Sequence, residues 1–156
     1  MNILYDERLD GPVPPFDRTA IRDSLAQAIP GMTLLDREED MRPFECDGLS
    51  VYRTLPMLVA MPDSLDQVQQ LLKECHRLGV PVVTRGAGTG LSAGALPLEH
   101  GVLLVMSRFS RILEVDPEAR IARVEPGVRN LAISEAASPY GLYYAPDPSS
   151  QIACSI

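Results

Sequence analysis

The chain has no tryptophan, two histidines and three cysteines in 156 residues. No Ser-His-Asp pattern or zinc-ligand spacing appears around the two histidines, and no catalytic acid, base, nucleophile or metal site is read. Cys46, Cys75 and Cys154 are odd in number and lack metal-ligand spacing. They argue against a disulfide framework and fit a reducing compartment. Positive charge is also short, with 14 Lys and Arg against 21 Asp and Glu. An acidic chain without a basic patch disfavours nucleic acid and anionic membrane surfaces as partners. Long apolar runs are missing. The stretch 55–61 contains Pro56 and falls far short of the roughly 20 residues that span a bilayer. Residues 1–15 are acidic and proline-bearing, without an apolar centre, so they read as an arm and no secretory signal is seen.

Enough apolar residues remain, 46% of the chain, to build the core of one domain. Asp17 is a candidate N-cap for a helix over 18–28, closed by Pro30-Gly31, with Ile21, Leu25, Ala28 and Ile29 as its buried stripe. The run 36–40 reads as a charged loop. A strand at 58–61 precedes a helix opened by Pro62-Asp63-Ser64, where Ser64 and Gln67 have capping-box spacing. Leu65, Val68, Leu71, Leu72, Cys75 and Leu78 form its apolar stripe. Gly79 suits the position after its end, and Pro81 prevents continuation. His76 falls on its polar side, and His100 in a later turn; both are expected to face solvent. A strand at 80–84 completes a β-α-β unit whose strands should be parallel. Short strands then follow at 102–106, 112–115 and 120–125. The last two are joined by Asp116-Pro117-Glu118-Ala119, with proline where a type I turn prefers it. A helix over 128–137 starts from Gly127. The expected class is α+β, a small parallel β-α-β layer followed by an incomplete antiparallel sheet.

The stretch with most chemistry is Arg85-Gly86-Ala87-Gly88-Thr89-Gly90-Leu91-Ser92-Ala93-Gly94-Ala95, directly after the 80–84 strand. Glycines let backbone N–H groups approach an anion, and successive N–H groups form a phosphate-binding nest. Thr89 and Ser92 can add hydroxyl donors, and Arg85 charge. The competing reading is a flexible loop between strands. A Walker A site needs Gly-Lys-Ser/Thr, and the loop has no lysine. Gly88 to Ala93 formally reads G-x-G-x-x-A, but Pro97 and Gly101 leave no room for the crossover helix of a dinucleotide-binding Rossmann unit.

The segment from Val80 to Ala95 resembles the first pyrophosphate loop of the FAD-linked oxidases of the vanillyl-alcohol oxidase type. A second segment agrees: Tyr143-Tyr144-Ala145-Pro146-Asp147-Pro148-Ser149-Ser150, then Cys154-Ser155-Ile156. Within that family the likeness runs first to the FAD-binding subunits of bacterial glycolate oxidases, then to D-lactate dehydrogenases, and covers the chain from about Asp47 onward. The chain stops where the family continues with Gly-Gly-Asn. It is therefore expected to be a fragment, the N-terminal part of a two-subdomain FAD-binding domain, with residues 1–50 as arm and helix and residues 51–156 as the incomplete FAD-binding domain.

The resemblance implies a cofactor site of Arg85, Gly86, Ala87, Gly88, Thr89, Gly90, Leu91, Ser92, Gly94, Gly127, Pro146, Pro148, Ser149, Ser155 and Ile156, with no catalytic or metal-binding residue in this stretch. Backbone N–H groups from Gly86 to Leu91 would face the pyrophosphate, each charge-assisted contact contributing roughly 1.5–3 kcal/mol. Thr89 stands where some members carry a histidine linked to FAD, so the FAD is expected to be non-covalent. Gly127 is either close to the cofactor or part of a plain turn. Pro146, Pro148 and Ser149 form either a rigid wall beside the flavin or a surface turn. Cys154 is either near the cofactor or a small packing residue. The implied activity is oxidation of a small 2-hydroxy acid, glycolate first and D-lactate second, with electrons passed to partner subunits or a membrane acceptor. The implied location is the cytoplasm or its membrane face. The alternative is a catalytically inert nucleotide-binding fragment.

Overall fold

The computed structural model describes residues 16–146 and 148–156. The arm at 1–15 and Asp147 lie outside the described residues. Helix α1 (Arg18–Ala28) is capped as its sequence indicates: the Asp17 carboxylate accepts from the Thr19 and Ala20 N–H groups at 2.9 and 3.1 Å. Ile21, Leu25 and Ile29 are buried, but Ala28, expected in the stripe, is exposed. Strand β1 (Thr33–Leu35) follows, three residues too short to show an alternation in sequence. The expected loop at 36–40 is instead partly helical, as α2 (Glu38–Met41). Three acidic residues suit its first turn, and Met41, 1% exposed, anchors it.

Strand β2 (Leu58–Met61), helix α3 (Leu65–Leu78), strand β3 (Val82–Arg85) and strand β4 (Val102–Val105) complete the main sheet. Its order is β1-β2-β4-β3; β4 runs parallel to both neighbours, and β1 is antiparallel to β2. The β2-α3-β3 strands are thus parallel, as expected, but not adjacent. The run at 102–106 supplies the strand between them. All four β4 residues are buried, as befits a parallel strand covered on both faces. Its side chains alternate between two cores. Val102 and Leu104 meet Ile21, Leu25, Leu71 and Cys75 under α1 and α3. Leu103 and Val105 meet Met41 and Val59, with Phe44 against them.

In α3 the Ser64 hydroxyl accepts from the Gln67 N–H, while the Gln67 carboxamide reaches the Asp63 N–H at 2.7 Å, one residue before the expected partner. Gly79 closes the helix in the left-handed region, φ 68°. Val68, Leu71 and Cys75 are buried, but Leu65 and Leu72 are exposed. The buried face is narrower than the six-residue stripe, because only the side turned to β2, β4 and α1 finds partners. Burial raises the Cys75 thiol to about 11, which makes it an inert core residue. His76 is exposed.

Glu74 links the two helices. Its carboxylate accepts from Arg77 at 2.6 and 2.9 Å and from the Ser24 hydroxyl at 2.6 Å. These bonds lower its pKa from 4.5 to about 2. Because the folded pKa is depressed, the contribution is present above the ordinary value and fades as pH falls from about 4.5 to about 2. Glu74→Gln should therefore be less stable than the parent near neutrality, with the difference closing below that window in urea titrations at several pH values. The effect is modest, since Arg77 is 62% exposed and solvent screens the pair.

Beyond β4 lies a separate antiparallel hairpin, β5 (Ile112–Asp116) and β6 (Ile121–Val124). The Asp116 carboxylate accepts from the Ala119 N–H at 2.9 Å. Arg120 sits at φ 55°, so the strand expected from 120 starts one residue later. Helix α4 (Asn130–Ala137) also starts later than expected, because Arg129 is still extended. The architecture is a mixed α/β arrangement, with a parallel sheet and a separate antiparallel pair.

Candidate functional site

Four segments meet at the C-terminal ends of β3 and β4, where open α/β sheets bind ligands. The Met106 N–H donates to the Arg85 carbonyl at 2.8 Å, and the Gly127 N–H to Phe109 at 2.8 Å. A Cβ on Gly127 would overlap the Met106 carbonyl. The C-terminal segment closes on the same place. Ile156 N–H donates to Val128, and Asn130 N–H to Cys154. The Ser155 hydroxyl then accepts from the Ala87 N–H at 2.9 Å. A Cβ on Gly86 would overlap that hydroxyl. Gly86, Ala87, Gly127, Ser155 and Ile156, far apart in sequence, are thereby gathered at one site.

The glycine loop is held open from behind. A Cβ on Gly48 would lie 2.7 Å from the Thr89 carbonyl oxygen and 2.8 Å from that of Gly90. The peptides are trans, so the N–H groups of Gly90 and Leu91 face away from Gly48. Among the described residues, the N–H groups of Gly88, Thr89, Gly90, Leu91 and Ser92 have no protein acceptor. Gly88 takes φ 73° and Ala93 φ 59°. Open space lies beside Gly90 and Gly94, where a Cβ would meet nothing within 4 Å. Consecutive unengaged donors on a glycine backbone fit a diphosphate. The Thr89 and Ser92 hydroxyls make no hydrogen bond among the described residues and remain available as further donors.

Arg85 points beneath this loop. Its guanidinium donates to the Cys46 carbonyl at 2.6 Å, stands 5.8 Å over the Phe44 ring, and fills the space a Gly88 Cβ would need. Burial lowers its pKa, and Cys46 and Asp47 oppose that shift. Gly48 and Asp47 carry no glycine-rich signature of their own. The one sequence hint was the Asp-Gly pair, a turn signal: Asp47 accepts from the Leu49 N–H at 2.9 Å while only 5% exposed. Its second carboxylate oxygen, and the side-chain oxygen of Asn130, are buried without a partner among the described residues.

No hydrogen bond joins Pro146, Pro148 or Ser149 to the glycine loop among the described residues. The Pro148 carbonyl accepts from Gln151 N–H, and Ser150 from Cys154 N–H, forming the turn that delivers Ser155. Cys154 is half-buried. His100, expected in solvent, is half-buried and stacks on Phe16 with centroids 6.3 Å apart. The pair borders a cavity of about 440 Å³ with Met41 and Leu55, which shares no residue with the glycine loop. Among the described residues no three His, Cys, Asp or Glu side chains converge as a metal site, and no helix is long and apolar enough to cross a membrane.

Residues 56–156 match the family described as FAD binding domain. The chain belongs to this FAD-binding family. It is 64% identical over its whole length to the glycolate oxidase subunit GlcD of Escherichia coli strain K12, of which it spans 31%. It is 36% identical over 96 residues, 62% of this chain and 21% of the other, to a D-lactate dehydrogenase of Archaeoglobus fulgidus. In fold it is similar to alkyldihydroxyacetonephosphate synthase, with a TM-score of 0.74 at 18% identity over 97% of this chain and 30% of that one. The cofactor of this FAD-binding chain is FAD.

Proposed function

We propose that this chain is the FAD-holding portion of a flavin-dependent 2-hydroxy-acid oxidoreductase whose substrate is glycolate. The carrying observation is the run of N–H donors from Gly88 to Ser92, without a protein acceptor among the described residues and held between Gly48 and Ser155. In this reading Gly86 to Ser92 and Gly94 surround the diphosphate, and Arg85 stiffens the loop from below. Ser155 and Ile156 close its entrance, with Gly127 behind them, and Pro146, Pro148 and Ser149 flank the flavin. FAD is held without a covalent bond, since Thr89 offers a hydroxyl and not a nucleophilic imidazole. Residues 51–156 form the flavin-binding part, and residues 1–50 are a separate N-terminal segment that precedes it. When bound, the flavin supplies hydride acceptance from the substrate α-carbon.

The substrate-binding groups belong to the remainder of the longer protein. The relatedness to a protein named as a subunit favours partner subunits, or a membrane acceptor, as the electron sink, with the assembly in the cytoplasm or at its membrane face. A second reading, oxidation of D-lactate, is favoured by the Archaeoglobus relative. The test is the visible spectrum of the protein carrying its natural continuation beyond Ile156. Flavin bands should appear and pass into the filtrate after denaturation. They should bleach with glycolate; bleaching by D-lactate alone selects the second reading. A colourless folded protein that cannot be reconstituted with FAD rejects both.

A further inference from the structure

We infer that Arg129 is the cation of the diphosphate site, a role that rests on reading the glycine loop as the FAD cradle. Arg85, the arginine within the loop, already has its guanidinium engaged by the Cys46 carbonyl beneath Gly88. Arg108 is paired with Asp63, and Arg111 with Glu125. Arg129 is exposed and forms no ion pair or side-chain hydrogen bond among the described residues.

The backbone aims it. Arg129 and Ser155 form an isolated antiparallel bridge. The flanking bonds run from Asn130 N–H to Cys154 and from Ile156 N–H to Val128, so Arg129 and Ser155 are the non-hydrogen-bonded pair. In such a pair the Cα atoms are about 4.5 Å apart and both side chains leave on the same face. The Ser155 side chain goes directly to the loop, its hydroxyl 2.9 Å from the Ala87 nitrogen. Arg129 therefore leaves beside the cradle mouth, on a flexible stem with a planar fork suited to phosphate oxygens. Its ligand class is a diphosphate anion, and the loop's neutral N–H donors supply shape while Arg129 supplies charge.

The test uses the protein with its natural continuation, stripped of flavin, and measures ADP and FAD binding over a range of salt concentrations. Arg129→Gln should weaken both ligands by about 10- to 100-fold at low salt, the range for one charge-assisted bond. It should also flatten the salt dependence. Arg129→Lys should recover part of each. A merely structural role would change melting temperature without changing the salt slope. If the parent protein binds neither ligand, the cradle reading fails and this inference with it. If the parent binds both, and Arg129→Gln binds equally well with an intact circular dichroism spectrum, Arg129 is not the cation and the cradle stands. An unchanged ADP affinity with a raised KM for the 2-hydroxy acid overturns the assignment and moves Arg129 to the substrate carboxylate.

Discussion

Gly88→Val should abolish FAD retention while leaving the two cores intact. Gly88 lies at φ 73°, where a residue with a Cβ loses about 1–2 kcal/mol and a β-branched one is a clear outlier. The added Cβ would also overlap the Arg85 guanidinium. That group cannot simply swing away, because it is half-buried and bonded to the Cys46 carbonyl at 2.6 Å. Displacing it breaks a charge-assisted bond worth about 1.5–3 kcal/mol. The two costs fall on one short loop, and the loop can relieve both by turning its peptides. In the proposed reading of the loop as the FAD cradle, turning them removes the N–H donors from the diphosphate. A loss of retention of at least about a hundredfold follows, since each 1.4 kcal/mol is a factor of about ten. Gly88→Ala should be intermediate, sharing the backbone strain and the first overlap without the branched side chain. Flavin absorbance after gel filtration, with far-UV circular dichroism as the fold control, measures it. Unchanged retention by a folded Gly88→Val protein would remove the loop from the cofactor site.

The parts of this structure legible in sequence are those set by local chemistry. Asp17, Ser64 and Gly79 mark helix ends because a short oxygen side chain or a permissive backbone solves a problem at that residue. The Asp116–Ala119 turn and the glycine loop are local in the same sense. The resemblance, and not spacing, pointed to Ser155 and Ile156, which the fold brings beside Gly86 and Ala87. What escaped depends on partners distant in sequence. The neighbours of β4 are not legible, because four apolar residues in a row state burial and not pairing; its place between β2 and β3 is a tertiary choice. Leu65 and Leu72 satisfy the helical period, yet both are exposed and no element among the described residues covers them. Gly48 escaped for the sharpest reason. It is exposed, its φ is not positive, and its constraint is two carbonyl oxygens from a loop some forty residues away. Arg129 resembles any surface arginine until its bridge to Ser155 is known.

Gly127→Val should destabilise the protein even without cofactor, and this separates the two roles open to Gly127. A Cβ there would overlap the Met106 carbonyl, and lie 2.8 Å from the Phe109 carbonyl oxygen and 3.1 Å from Ser107 Cα. All three are backbone atoms, so no rotamer change relieves the contact. The residues involved are tied to the site on every side: Met106 N–H to the Arg85 carbonyl, Gly127 N–H to Phe109, and Ile156 N–H to the Val128 carbonyl. Overpacking costs about 1–3 kcal/mol, and a lost hydrogen bond adds about 0.5–1.5 kcal/mol. A fall of several degrees in the thermal transition of the flavin-free protein is expected, because the bulk is added where backbone meets backbone. Flavin affinity should fall as a consequence, since the Arg85–Gly86 entrance and Ser155 both lean on the displaced strand. If Gly127 is instead small only to admit the cofactor, the flavin-free protein keeps its melting temperature and only FAD binding suffers. The hydrogen-bonded crossing of Met106, Phe109 and Gly127 favours the first outcome: the glycine lets the hairpin leave the sheet, and the site is assembled where it does so.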